Sequence, residues 1–399
     1  MKRDHKQNGK RPTILFVQYS NPDFYPTTYN LARMLAARGY EIVICCRADR
    51  PSNIADYGPH ISIHRLGKPR RGVMAPVEYA IFCGAVLFIA LRCRPSLLIG
   101  YDLHGVVAAG LIGWMLRRPF IYQLYDVFLP EEGIGHFDRV LKRFERGLAA
   151  KSAALIMPSD SKARFFLQRS NLDRGFFVVA NSPPLQPHAK SDLLRRLLLE
   201  RGCDATYIVY YHGSIGPGKG LLPVIQSMAY WPKGAALVLL GAVYDAVFFD
   251  QLVDAAREAE VEDRVHYLGV IAYPDLYDYT RGADLGLFVP ETSSVIHVYS
   301  GTAVVKLNDY MACGVPFLVS NMEALATLAS ETGAGRAADI GDPLRLGHVI
   351  GGLLEDIAGR KSMGNKGYQL HREKFNLSVQ YEPVENLIRQ VCGQHTAAQ

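Results

Sequence analysis

Residues 207–220 read YIVYYHGSIGPGKG, and the fold is decided there. Five apolar or aromatic residues in a row, 207–211, fit a strand covered on both faces. The chain passes directly into a loop with glycines at 213, 216, 218 and 220, and Lys219 lies among them. Helical spacing follows at once, with Leu221, Leu222, Ile225 and Met228 on one side. Strand, glycine loop and helix in this order form the repeating unit of an open parallel sheet, which binds ligands beyond the carboxyl ends of its strands. Glycines let backbone approach a phosphate, and a lysine adds a point charge for a diphosphate. The spacing fits neither GxxxxGK[ST] nor GxGxxG, so the loop alone leaves an ordinary turn open.

The same alternation extends both ways. Downstream, apolar runs recur at 236–240 (ALVLL), 265–268 (VHYL), 285–289 (LGLFV) and 316–319 (PFLV). Upstream they occur at 13–18 (TILFVQ), 41–46 (EIVICC), 97–100 (LLIG), 120–124 (FIYQL), 154–157 (ALIM) and 177–180 (FVVA). Helical spacing at 27–38 and 105–116 separates several of them. The series breaks at 181–187, NSPPLQP, where the prolines cannot sit inside a central strand or a helix. The pattern therefore predicts an α/β chain of two doubly wound, Rossmann-like domains facing a cleft. The expected division is 1–185, a linker at 186–205, a second domain at 206–370, and a C-terminal helix and tail at 371–399.

Length and composition agree. At 399 residues the chain exceeds one ordinary core, and 49% hydrophobic with 21% charged residues is a folded, globular balance. Residues 1–200 carry 29 Lys and Arg against 16 Asp and Glu, which is +13; residues 201–399 carry 15 against 22, which is −7. A split of that size points to different partners for the two halves, or to an anionic surface facing the first. Seven cysteines without CxxC spacing argue against a disulfide framework or zinc site and for a reducing compartment. The basic start, MKRDHKQNGKRP, has no apolar core behind it, so no signal peptide is expected. The most lipophilic stretch, 79–91 (YAIFCGAVLFIAL), is shorter than the roughly 20 residues a bilayer needs. Arg65, Lys68, Arg70, Arg71, Arg92 and Arg94 flank it. It reads either as a core helix or as an interfacial helix with cationic edges.

A second chemistry-bearing segment is 300–316, SGTAVVKLNDYMACGVP. Helical spacing over 303–312 predicts Ser300 or Thr302 as N-cap and Gly314 just past the C-terminus. Amides at that N-terminus would meet a second face of the diphosphate. Lys306 and Asp309 are i, i+3 neighbours, which also fits a plain surface ion pair.

Taken in order, these segments resemble the family-four, GT-B-fold retaining glycosyltransferases. Residues 213–220 resemble that family's phosphate loop, 265–269 (VHYLG) the strand beside the donor base, and 283–290 (ADLGLFVP) its AD-x-x-l-x-P. Residues 306–316 (KLNDYMACGVP) resemble K-l-f-E-y-M-a-x-G-x-P, 178–183 the interdomain segment, and 375–381 the start of a final helix that crosses back to the first domain. The resemblance implies a nucleotide-sugar donor held by Gly213, Ser214, Lys219, Gly269, Val270, Gly301, Thr302 and Lys306, with Asp309 on the ribose hydroxyls. In the first half, 119–131 (PFIYQLYDVFLPE) resembles the acceptor-side motif, and its histidine and acid fall on Tyr125 and Asp126. Tyr125, Asp126 and Lys219 are the implied catalytic groups; Tyr19, Ser20, Asn21 and His104 are candidates for the acceptor.

Three departures stand out. Gly301 replaces an expected glutamate, Ser214 an expected arginine, and the loop at 19–26 lacks adjacent glycines. Another histidine, such as His104 or His297, could enter the cleft instead. No compact Asp-x-Asp follows a strand, so no metal and no cofactor beyond the donor is expected. The reading is a cytoplasmic transferase at the inner face of the cell membrane. Its acceptor is a lipid-linked or other glycan of surface-polysaccharide or glycoconjugate assembly, and no nucleic acid is involved. The alternatives are a non-catalytic nucleotide-sugar-binding subunit and a sugar-nucleotide epimerase of the same architecture.

Overall fold

The computed structural model describes residues 11–47, 56–67, 74–125, 135–291 and 303–396. The chain divides into two compact units. The first comprises Met1–Pro158, Ala163–Val178 and Tyr381–Gln399; the second comprises Ser159–Lys162 and Val179–Gln380.

In the first unit, seven parallel strands form one sheet: β1 (Thr13–Gln18), β2 (Glu41–Cys46), β3 (Ile61–Arg65), β4 (Leu97–Tyr101), β5 (Phe120–Gln123), β6 (Ala154–Met157) and β7 (Phe177–Val178). Their order is β3-β2-β1-β4-β5-β6-β7. All six residues of β1 are buried, because both neighbours are strands and both faces carry helices. The order reverses between β1 and β4, so the segments leaving these two strands diverge around a crevice at their carboxyl ends. Tyr19 leaves β1 there, and Asp102 and His104 leave β4.

Four helices of this unit matter below: α1 (Pro26–Ala37), α2 (Ala75–Cys93), α3 (Asp102–Leu116) and α4 (His136–Lys151). Proline in the first turn of α1 presets its entry. At 19 residues and a mean hydropathy of 1.6, α2 is longer than the stretch 79–91 and, by length and composition alone, could cross a membrane. The core reading holds for one face only. Tyr79, Phe82, Val86 and Ala90 are buried in the core, whereas Val77, Ile81, Phe88 and Leu91 are exposed. The final helix, Leu377–Thr396, contributes its residues from Tyr381 onward to this first unit.

The second unit has six parallel strands: β8 (Tyr207–His212), β9 (Ala235–Leu240), β10 (Val265–Tyr267), β11 (Leu285–Phe288), β12 (Phe317–Ser320) and β13 (Gly335–Ala338). The order β10-β9-β8-β11-β12-β13 reverses between β8 and β11. One apolar cluster covers each face of the sheet. Residues 186–205, read as a linker, lie inside this unit. They contain the helix Leu193–Glu200, whose Leu194 and Leu198 are fully buried against Tyr210, Ala236 and Tyr277. The i, i+4 leucine pair in LLRRLLLE gives the helix a face that must be covered.

Candidate active site

The loop after β8 is held by glycines at three neighbouring strand ends. The Gly213 amide donates to the Leu240 carbonyl at 2.8 Å, and the Gly241 amide donates to the Gly269 carbonyl at 2.7 Å. Gly213 has φ +119° and Gly241 φ +138°, and a Cβ on Gly241 would lie 2.0 Å from the Gly213 carbonyl oxygen. Only glycine allows these backbones to come so close. At the far end of the loop, Gly220 has φ +69°, and a Cβ there would lie 1.8 Å from the Val289 carbonyl.

Over this loop lies Lys306, from the helix Val305–Ala312. A Cβ on Gly213 would meet its Cε at 2.4 Å. Its Nζ donates to the Tyr211 hydroxyl at 2.9 Å, and that hydroxyl donates to the Ser214 carbonyl at 2.8 Å. The ammonium also lies 4.2 Å from the Tyr211 ring centroid and 5.5 Å from that of Phe288. Burial, and then the charge of Lys219, push the Lys306 ammonium down to about 7, with Asp309 acting the other way. Lys219 and Lys306 therefore share one neighbourhood.

One turn further on, Asp309 is wholly buried. Among the described residues neither of its carboxyl oxygens has a hydrogen-bond partner. His212 Nε2 is 3.7 Å away and also lacks one. Burial raises the Asp309 carboxyl well above the usual carboxylate range, against the pull of Lys306. Burial and Lys306 drive His212 down to about 3, so its ring is neutral at physiological pH. Unsatisfied buried polar groups are costly and uncommon. Two lysines beside an unsatisfied carboxyl suit a ligand with an anion at one end and hydroxyl groups at the other.

In the first unit, the Tyr19 ring stacks on His104 at 4.8 Å between centroids. His104 Nε2 is 3.0 Å from Asp138 Oδ1, and this partner holds the Asp138 carboxyl below its ordinary value despite partial burial. Ser20 Oγ accepts from Gln18 Nε2 at 2.9 Å; Asn21 Oδ1 accepts from the Asp23 amide and from Arg65. Tyr125 lies buried between the rings of Tyr25 and Tyr101, its amide donating to Asp102 and its hydroxyl paired with Thr28. Burial raises its phenol well above the ordinary value. Tyr125 is thus a neutral group linked through Thr28 and Gln18 to Ser20.

The structure brings Gly213, Lys219, Lys306 and Asp309 into one neighbourhood, and Tyr19 and His104 into another. Ser214 and Val270 are exposed, and Gly269 ends the row of strand-end glycines. Asp126, His297, Ser300, Gly301 and Thr302 lie outside the described residues. The expected caps Ser300 and Thr302 lie outside the described residues; the described helix spans Val305–Ala312 with Val304 as N-cap. Val304 enters this helix from extended backbone. Lys306 and Asp309 are not a surface pair, since Asp309 is wholly buried. Sequence reasoning missed Tyr211 and His212, although both stand in the quoted strand immediately before Gly213. Among the described residues, no three His, Cys, Asp or Glu side chains gather as a metal site.

Two family models match the chain: "Glycosyl transferase 4-like domain" over residues 26–182 and "Glycosyl transferases group 1" over 204–370. No curated protein sequence matches it. Among solved structures, it resembles Anabaena Alr3699/HepE in complex with UDP and glucose, with TM-score 0.70, 18% identity, and coverage of 95% of this chain and 100% of that one. It also resembles the sucrose-phosphate synthase of Thermosynechococcus elongatus, with TM-score 0.68, 18% identity, and coverage of 98% and 100%. A glycosyltransferase from Rickettsia africae ESF-5 aligns with TM-score 0.72 at 11% identity, covering 96% and 99%. At these identities the likeness is one of fold.

Proposed function

The chain belongs to the group 1 glycosyltransferases, with the GT-B fold, and we propose that it moves a sugar from a nucleotide-diphosphate donor to a lipid-linked or glycan acceptor. The transfer retains configuration and needs no metal. The observation that carries the donor assignment is the pairing of the Gly213 loop and Lys306 with the unsatisfied Asp309 carboxyl. Lys219 and Lys306 take the diphosphate, and Asp309 accepts from the ribose hydroxyls. Departure of the nucleotide builds negative charge, which preorganised cations stabilise best in a site poor in water. The amides of Gly213 and Ile215 are already committed to the carbonyls of Leu240 and Ala242, so those two add nothing to this work and the two lysines carry its charge. Tyr19, Ser20, Asn21 and His104 line the acceptor side with Tyr125 behind them, and Asp126 next in sequence is the acid of the acceptor-side motif. The family assignment favours neither the epimerase nor the non-catalytic subunit.

The acceptor is proposed to be lipid-linked, in surface-polysaccharide or glycoconjugate assembly at the cytoplasmic face of a membrane. The +13 charge of the first 200 residues and the exposed apolar face of α2 support this. So does the lack of any disulfide among the described cysteines, which suits a reducing compartment. On α4, Lys142 is paired with Glu145 and Arg146 donates to Asn171, whereas Arg143 is exposed.

A thermal-shift titration tests the donor site. UDP is the first probe, because HepE was solved with it. At a hundredfold excess over Kd, a ligand of the folded state adds about 2.7 kcal/mol. That corresponds to a rise in Tm of roughly 5–10 °C for a unit of this size. Lys219→Ala and the isosteric Asp309→Asn are expected to lose most of it, and turnover is expected to survive EDTA. A full shift in both variants, or none in the wild type, sinks the assignment.

A further inference from the structure

A groove with a volume of about 770 Å³ runs between α3 and α4, within the first unit. That is inside the roughly 300–1,000 Å³ range of ligand sites. Its walls are apolar, with Val107, Leu111 and Trp114 facing Leu141, Phe144 and Leu148. Trp114 is 78% exposed and Phe144 58% exposed, so the rim presents large rings to the outside. Gly147 opens the wall on the α4 side: a Cβ there would meet nothing within 4 Å. Exposed rings of this size around a concave apolar floor mark an interaction surface.

Charge identifies the occupant. Among the described residues, the cationic side chains lining the groove are Arg118 and Lys151, and no acidic side chain lines it. Both stand at the same end for a topological reason. α3 ends just before β5 and α4 just before β6, and these strands are adjacent and parallel. Their preceding helix ends therefore meet at one edge of the sheet. α2 ends before β4, which is parallel to β5, and adds Arg92 and Arg94 at that edge. A cationic end joined to an apolar channel with an aromatic rim complements an anionic lipid, phosphate at one end and chain along the channel. Tyr19 and His104 lie at the opposite, carboxyl edge of the sheet, so a lipid held here anchors the protein and is not the acceptor.

We propose that the groove between α3 and α4 docks one anionic membrane lipid, with its phosphate at Arg118 and Lys151 and its chain between Trp114 and Phe144. The proposal rests on the membrane part of the function above and is independent of the donor chemistry. Fluorescence gives a direct test, because the chain has two tryptophans and the other, Trp231, is buried in the second unit. The full chain is mixed with phosphatidylcholine vesicles, with and without phosphatidylglycerol, whose chains carry bromine at mid-length. The anionic vesicles should quench tryptophan emission. Trp114→Phe should still sediment with them but lose the quenching. Arg118→Glu with Lys151→Glu should sediment more weakly, by roughly five-fold for each cation lost. All variants should keep the UDP shift. Anionic vesicles that bind without quenching, neutral vesicles that bind equally well, or a lipid-free dimer abolished by Trp114→Ser would each overturn the proposal. Loss of the UDP shift in the wild type would instead strike the donor assignment.

Discussion

Lys306 is held between the rings of Tyr211 and Phe288 with Lys219, Asp309 and His212 as its charged or titratable neighbours. Its folded value of about 7 lies below that of a free lysine, near 10.4. Between those values the unfolded chain holds a proton that the folded chain has lost. Stability from this group therefore rises with pH through that window, and its cost is complete below pH 7. A bound diphosphate reverses the preference by favouring the ammonium. UDP binding should take up a proton near pH 8 and weaken as pH rises from 7 to 9, approaching tenfold per pH unit. Asp309 could release a proton on meeting the ribose, so Asp309→Asn isolates the lysine contribution. Calorimetry in buffers of different ionisation heat counts the protons. Per UDP bound, at concentrations raised to saturate the weakened variant, uptake should persist in Asp309→Asn and vanish in Lys306→Met; an unchanged count in Lys306→Met would remove the lysine from the diphosphate site.

The glycine loop after β8 does not depend equally on each glycine. At Gly216 a Cβ would strike the ring of Tyr244, which is exposed and can swing aside. At Gly220 the obstacle is the Val289 carbonyl, at a φ that an L-residue adopts at a cost of roughly 1–2 kcal/mol before any clash. Gly220→Ala should lower stability by at least about 2 kcal/mol and lose UDP binding, while Gly216→Ala should stay within about 1 kcal/mol of wild type. Chemical denaturation of both variants decides it; equal losses would show that the loop adapts as a whole. The strands around this loop were legible because buried parallel strands are unbroken apolar runs. Edge strands β3 (ISIHR) and β13 (GRAA) were not, since half-exposed residues dilute the pattern. The proposed roles of Gly213, Lys306 and Asp309 were readable as a motif. Those of Tyr211 and His212 were not, because a strand-end histidine gains meaning only once folding buries it beside a carboxyl.

At the scale of the molecule, chain order and structural unit part company in the last helix. Tyr381, Val384, Ile388 and Cys392 repeat at helical spacing on one buried face, counted with the first unit, and Glu385 pairs with Arg38 at the end of α1. A tail distant in sequence thus joins the first unit, while the proposed donor residues 213, 219, 306 and 309 all belong to the second. Sequence showed that such a helix exists, through the match at 375–381, but not what its face would cover, because that depends on contacts hundreds of residues away. Two cores permit two unfolding transitions, and a single ΔG would then describe neither. Ile388→Ala removes a fully buried side chain, a loss of about 2–5 kcal/mol that should fall on the first unit. UDP, proposed to bind only the folded second unit, should raise only the other transition. Scanning calorimetry of wild type and Ile388→Ala, each with and without UDP, should therefore give two endotherms that move independently. If one endotherm responds to both perturbations, the units unfold as a single cooperative block and this assignment of the final helix carries no separate energetic meaning.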